Sequence, residues 1–222
     1  MTEDKKTERK KRARAIVRVL RREFPNANVE LNFSNTWELL VAVILSAQCT
    51  DKMVNHVTDT LFKKYPALTD YVSANFEEFA LNIKKTGFYR NKAKHILGSA
   101  KKIYDECNGT VPDEMDALLT LPGVARKTAN VVLQAGFDKA EGIAVDTHIR
   151  RLAYRFDLSD SRVPEKIEQD LLEILPKKEW SFFGTALVLY GRHICPARKH
   201  ECDQHPLTHI YPDAINRWPR AQ

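Results

Sequence analysis

Two segments of this 222-residue chain carry residues that could act on a polyanion. The first, LPGVARKTANVVL, leads from a Pro-Gly turn into an apolar helix whose first turn carries Arg126 and Lys127. The positive end of a helix dipole disfavours cations, so this placement suggests an anionic ligand nearby. Helix N-termini also bind phosphates through their unpaired N–H groups. Two solvated surface cations are the alternative interpretation of the same pattern.

The second segment, IAVDTHIRRLAYRF, places Asp146 directly before a helical pattern. An aspartate at a helix start caps the helix by accepting a backbone N–H. A carboxylate can also accept a proton or stabilise a developing positive charge. The two roles of Asp146 are compatible with each other.

The elements that must position these residues have helical patterns throughout. Ser34 and Asn35 are cap candidates before a strongly apolar run, and Thr50 with Asp51 caps a further helix. Helical patterns continue over 75–84, 91–106, 114–119, 125–135, 146–156, 164–175 and 179–193. Turn signals separate these segments, and convincing alternating strands are absent from the sequence. We therefore expect an all-α fold.

Charge and composition favour a nucleic acid and disfavour a membrane. The net charge is +6, which suits a polyanionic partner. Ten Lys or Arg residues lie within residues 1–24, where an N-terminal helix with one packed stripe and a solvated basic face is expected. No apolar run approaches the roughly 20 residues needed to span a bilayer. The charged N-terminus has no signal-peptide pattern, so we expect a cytoplasmic protein whose four cysteines are thiols or metal ligands.

Taken together, the two segments closely resemble the endonuclease III family of DNA base-excision glycosylases. Three further segments resemble that family in the same order: ELNFSNTWELLVAVILSAQCTD, TGFYRNKAKHI and YGRHICPARK. The resemblance covers nearly the whole chain. It implies a helix–hairpin–helix motif over about 113–135 and two helical lobes with a DNA cleft between them. One lobe would span 29–140, and the other would join 1–28 to 141–222.

The resemblance also implies a chemistry. Lys127 matches the family's nucleophile and Asp146 its catalytic aspartate. The amine would attack C1′ of a damaged nucleotide, expel the base and promote β-elimination of the 3′ phosphate through a Schiff base. Lysine suits this step because its ammonium loses a proton readily when it is desolvated. The expected substrate is double-stranded DNA carrying an oxidised pyrimidine, and the expected enzyme is a monomer, nucleoid-associated in a bacterium.

Three residues are expected at the extruded nucleotide, because a glycosylase must flip the base and fill the gap. By resemblance, Gln48 enters the vacated hole and Phe88 stands beside the opposite strand, where an aromatic ring could stack on the orphan base. Simple alternatives are a helix cap for Gln48 and loop packing for Phe88. His148 lines the same pocket or lies on a helix surface.

The hairpin itself is expected to contact the DNA backbone through Gly123, Ala125 and Arg126. The family usually has Gly-Val-Gly here, and this chain has Gly-Val-Ala. A methyl group at residue 125 is tolerable if its backbone dihedrals suit alanine. It would weaken binding modestly if the DNA backbone must approach very closely.

The C-terminal loop departs from the family pattern. Relatives usually hold a [4Fe–4S] cluster on four cysteines. This chain keeps Cys195 and Cys202, but His205 and Tyr211 stand at the other two places. Because clusters normally require thiolates, an ordinary cluster is expected to be absent. Catalysis needs no metal in any case, since the expected catalytic residues lie elsewhere.

Three interpretations of this loop stay open. It holds no metal and is packed by side chains such as Trp218. It holds zinc through Cys195, Cys202, His205 and His209, the last two with the spacing of structural sites. It holds a modified cluster.

Rival functions fit fewer of these residues. A non-catalytic helix–hairpin–helix module would bind DNA but would need neither Lys127 nor Asp146. A monofunctional glycosylase keeps the aspartate and activates water, but it lacks the lysine. A helical scaffold for acidic partners would explain the charge alone.

Overall fold

The computed structural model describes residues 3–218, and the outermost residues of the predicted second lobe, 1–2 and 219–222, lie outside the described part. Its α-helices are α1 (Glu3–Glu23), α2 (Thr36–Leu45), α3 (Asp51–Lys64), α4 (Leu68–Val72), α5 (Phe76–Asn82), α6 (Tyr89–Glu106), α7 (Met115–Leu119), α8 (Arg126–Phe137), α9 (Thr147–Arg155), α10 (Pro164–Ile174) and α11 (Lys177–His193). Short 3₁₀ helices cover Lys84–Thr86 and Pro212–Ile215. Residues 3–218 contain no β-strand, and the all-α prediction is confirmed.

The chain divides into two compact units, Val29–Glu141 and Met1–Asn28 with Gly142–Gln222. The unit Val29–Glu141 is built around α2. The side chain of Asn35 caps this helix by accepting the N–H of Glu38 at 2.9 Å. Every residue from Leu39 to Leu45 is buried, which explains why the run is apolar on all sides.

The other unit packs α1, α9, α10 and α11 around an aliphatic and aromatic core. Its α1 buries Ala13, Ile16, Val17 and Leu20, which is the packed stripe expected from the sequence. Arg9 lies on the same stripe and is only 1% exposed, and its Nη2 donates to Asp157 at 2.7 Å and to Asp160 at 2.8 Å. Arg12 also donates to Asp157. Both carboxylates follow α9 in the chain, so Arg9 and Arg12 attach α1 to the segment after that helix, which the sequence pattern did not predict.

Several boundaries differ from the sequence prediction by one or two residues. Thr50 alone caps α3, since Asp51 is already helical. The five-residue helix α4 was not predicted from the sequence.

In residues 3–218 no helix is both long and apolar enough to cross a membrane.

Candidate active site and C-terminal loop

The turn between α7 and α8 is tightly built around Gly123. Its φ of +76° is a left-handed conformation that favours glycine. A Cβ added here would lie 2.6 Å from the His95 ring on α6. One residue earlier, the carbonyl of Pro122 accepts the hydroxyl of Ser99 at 3.0 Å. The turn is therefore fixed against α6 by a hydrogen bond and by close packing.

The start of α8 presents the predicted hairpin residues to solvent. Ala125 is the N-cap residue, with φ −94° and ψ 169°, an extended conformation that alanine adopts without strain. Glycine is therefore not needed at residue 125 for backbone reasons. Alanine has no side-chain oxygen, and α8 accordingly begins without a side-chain cap hydrogen bond. Arg126 and Lys127 follow in the first turn and are both exposed.

Asp146 caps α9 in the other unit. Its Oδ1 accepts the N–H of Ile149 at 2.8 Å, and the residue is half-buried. The cap expected from the sequence is thus present. It uses one oxygen, and a carboxylate has further lone pairs for a proton or a substrate.

His148 packs inside its own unit. It is half-buried, and its ring lies so close to Gly191 on α11 that a Cβ there would meet the imidazole at 3.0 Å. Burial lowers the pKa of His148, and the nearby Asp146 charge opposes that shift. The ring is therefore neutral near pH 7. A contact between His148 and DNA stays a prediction.

Gln48 and Phe88 share an unusual backbone conformation. Gln48 has φ +53° in the turn that follows α2, and Phe88 has φ +46° directly before α6. The C-cap of α2 is Ser46, so Gln48 lies beyond the helix end that it was alternatively expected to cap. Phe88 is 64% exposed, which excludes loop packing. Both side chains are presented to solvent from left-handed turns.

The C-terminal loop closes around Arg155, the last residue of α9. Its Nη1 donates to the sulfur of Cys195 at 2.8 Å, and its Nη2 donates to the sulfur of Cys202 at 3.0 Å. The Nη2 group also donates to the Ala214 carbonyl at 2.9 Å. The Trp218 ring covers the guanidinium, with its centroid 3.7 Å from the central carbon. Arg155 is completely buried by these contacts.

The four residues suggested for zinc do not gather as one group. The ligand atoms of Cys195, His200 and His205 lie within 4.8 Å of one another. Cys202 and His209 are not part of that group, and His209 is exposed. His200 was missed from the sequence, although its place in the short segment KHECDQH was a signal for a metal ligand.

Burial shifts the pKa values of Cys195 and His205 in this loop. Burial raises the pKa of the Cys195 thiol, although Arg155 opposes that shift. Burial lowers the pKa of His205, and the nearby His200 lowers it further. The histidine is therefore neutral and able to act as a ligand at pH 7.

Tyr211, at the fourth place of the cluster pattern, is engaged elsewhere. Its hydroxyl accepts Arg217 Nη1 at 3.0 Å, and Arg12 lies 4.2 Å from its ring centroid. The residue is thus held by two arginines of its own unit.

The chain is similar to known proteins in sequence and in fold. Residues 41–177 match the HhH-GPD superfamily base excision DNA repair protein family. The chain is 44% identical to endonuclease III of Synechocystis sp. over 95% of its length and 96% of the relative. It is 46% identical to endonuclease III of Bacillus subtilis over 84% of its length and 85% of the relative.

A solved structure of a trapped endonuclease III–DNA covalent intermediate superposes with a TM-score of 0.87 at 40% identity, covering 95% of this chain and 99% of that one. A non-covalent endonuclease III–DNA complex gives the same TM-score and identity, covering 94% and 97%. The chain therefore belongs to the HhH-GPD superfamily of base excision DNA repair proteins, and within it to the endonuclease III family.

Proposed function

We propose that this protein is a bifunctional DNA glycosylase and AP lyase of base excision repair that acts on oxidised pyrimidines in duplex DNA. The observation that carries the proposal is the position of Lys127. It is an exposed lysine in the first turn of α8, directly after the rigid Gly123 turn. Membership of the endonuclease III family supports the same reaction class.

In the proposed reaction, the neutral amine of Lys127 attacks C1′ of the damaged nucleotide and the C1′–base bond breaks. The amine then loses its protons, and the sugar ring opens by cleavage of the C1′–O4′ bond, with O4′ taking up a proton, to give a Schiff base. The Schiff base acidifies the 2′ protons, and loss of one expels the 3′ phosphate by β-elimination.

Asp146 is proposed to stabilise the sugar while positive charge develops on it. The cap bond to Ile149 fixes one carboxylate oxygen, so the group does not reorganise during the reaction. A carboxylate fixed in this way stabilises an oxocarbenium-like sugar more effectively than a mobile one.

The hairpin and two turns are proposed to hold the DNA. The uncapped N-terminus of α8, with Gly123, Ala125 and Arg126, suits a backbone phosphate. Gln48 and Phe88 are proposed to fill the hole left by the extruded nucleotide. Their solvent-exposed positions support this role, because an inserting side chain must not be committed to its own core.

For the C-terminal loop, we propose that packing on Arg155 replaces the [4Fe–4S] cluster. The donor set of this loop does not fit a cluster, since the loop contributes only two thiols and Tyr211 is held by Arg12 and Arg217. A buried guanidinium already bridges the sulfurs of Cys195 and Cys202. No catalytic step is therefore assigned to a metal.

Metal analysis of the purified protein tests the loop. A colourless protein without stoichiometric metal is expected, with lyase activity that survives chelation. Iron and sulfide in cluster stoichiometry would overturn the proposal. One zinc per chain would instead assign a site to Cys195, His200 and His205, and then His205→Ala should lose the metal while the matched His209→Ala keeps it.

Duplexes that each carry one defined lesion test the function. Thymine glycol should be released, and its strand should be cut without added alkali, while an undamaged duplex of the same sequence stays intact. Base release that needs alkali for cutting would identify a monofunctional glycosylase. Binding without base release or cutting would leave only a DNA-binding module.

A further inference from the structure

Lys92 is a buried lysine that stands between the two turns assigned to DNA. It lies on α6, one helical turn after Phe88, and is only 4% exposed. Its backbone N–H donates to the Phe88 carbonyl at 3.0 Å. The residue is therefore part of the frame that supports the Phe88 turn.

The ammonium of Lys92 joins that turn to the Gln48 turn. Its Nζ donates to the Thr86 carbonyl at 2.7 Å and to the Leu45 carbonyl at 2.8 Å. Thr86 ends the 3₁₀ helix two residues before Phe88, and Leu45 ends α2 three residues before Gln48. One side chain thus anchors the last helical residue ahead of each turn.

The Leu45 carbonyl needs such a donor. Carbonyls in the last turn of a helix have no intrahelical partner, and the left-handed Gln48 prevents α2 from continuing. A cation at a helix C-terminus also interacts favourably with the dipole. Lys92 therefore supports the chain reversal that exposes Gln48.

Both turns hold non-glycine residues at positive φ, a conformation that persists only where the surroundings determine it. Burying an ammonium against carbonyl groups alone is costly, and burial lowers the pKa of Lys92. An apolar side chain would fill the same space at lower cost but could not donate to either carbonyl. The hydrogen bonds that join the two turns are thus what Lys92 contributes and an apolar side chain could not.

We propose that Lys92 is a positioning residue that holds the Gln48 and Phe88 turns in the one arrangement that can enter a DNA duplex. The inference rests on the proposed roles of Gln48 and Phe88. It predicts that Lys92 matters for duplex substrates, where a hole must be filled. It should not matter for β-elimination at an abasic site in single-stranded DNA, where no hole forms.

Lys92→Met, which keeps the stem and removes the donors, tests this proposal. Single-turnover excision of thymine glycol from duplex DNA should slow about 10- to 100-fold, as expected for misplaced positioning groups. Nicking of a single-stranded abasic site should stay within about twofold of wild type. Ile96→Val, one turn further along the buried face of α6, is the matched control and should leave both rates unchanged. Lys92→Gln, which keeps an uncharged donor, serves if the Met variant does not fold.

A double-mutant comparison separates positioning from general stability. In a Gln48→Ala, Phe88→Ala background, Lys92→Met should cause no further loss on duplex DNA, because the groups it positions are gone. In the wild type, stacking of Phe88 should quench the fluorescence of a 2-aminopurine placed opposite the lesion. In the single variant Lys92→Met, that quenching should be lost.

Three results would overturn the inference. The first is equal slowing by Lys92→Met of duplex excision and of single-stranded nicking. The second is a full further loss from Lys92→Met in the Gln48→Ala, Phe88→Ala background, and the third is failure of both Lys92 variants to fold. Wild-type protein that cuts neither substrate would instead refute the proposed function, and the inference would fall with it.

Discussion

Replacing Gly123 by alanine tests how firmly the hairpin turn is built against α6. The residue has φ +76°, where an alanine costs about 1–2 kcal/mol. The new Cβ would also lie 2.6 Å from Cγ and 2.7 Å from Cβ of His95. Because the His95 Cβ is fixed by the helix backbone, no rotamer relieves the contact, and the required shift adds about 1–3 kcal/mol. The total destabilisation is about 2–5 kcal/mol.

Gly109→Ala is the matched control for that variant. Gly109 has a similar φ of +72°, but its nearest neighbour would be Leu68 at 4.0 Å, so only the backbone cost of about 1–2 kcal/mol applies. Chemical denaturation gives the two free energies of unfolding. The rate of covalent trapping on abasic DNA reports whether α8 and Lys127 have moved, and it should fall only for Gly123→Ala. Equal destabilisation by both alanines, with equal trapping, would refute the tightly packed turn.

Three further variants probe the other unit. Asp146→Asn keeps a capping oxygen, so the melting temperature should hold while turnover falls about 100-fold or more; turnover within about threefold of wild type would reduce Asp146 to a cap. Burial alone would raise the pKa of Asp157, but hydrogen bonds from Arg9 and a neighbouring arginine hold it below its usual range. The stability that this carboxylate contributes is therefore present above its unfolded-state pKa and is lost as the pH falls through its folded-state pKa. Asp157→Asn should lower the free energy of unfolding at pH 7, and this loss should become progressively smaller in acid. Arg155→Met should lower the free energy of unfolding by about 3 kcal/mol, because it leaves the Cys195 sulfur and nearby buried acceptors without a charged donor; a loss below about 1 kcal/mol would mean that the loop is held by other contacts.

Local signals in the sequence were sufficient for most of the helices and for the turn before Lys127. Asn35 and Asp146 cap the helices they were expected to cap, because capping depends on a side chain and a backbone N–H three residues away. The Pro-Gly turn before Lys127 is equally local. Such features depend on neighbours in the chain, so spacing alone predicts them.

The buried charges could not be predicted in the same way. Arg9 is buried because Asp157 and Asp160 meet it from about 150 positions further along the chain. Arg155 is buried because two cysteines and a tryptophan from the C-terminal loop surround it. Lysine and arginine are rarely buried without partners, so their burial depends on tertiary contacts that no local pattern encodes.

Locating the covalent bond tests the central claim most directly. The protein is incubated with duplex DNA carrying an abasic site or thymine glycol, reduced with borohydride and digested, and the modified peptide is identified by mass spectrometry. The adduct should lie on Lys127. Lys127→Gln should bind the DNA without being trapped, whereas Arg126→Gln, which removes the adjacent charge from the same turn, should still be trapped at saturating DNA. An adduct on another residue, or wild-type trapping by Lys127→Gln, would contradict the account.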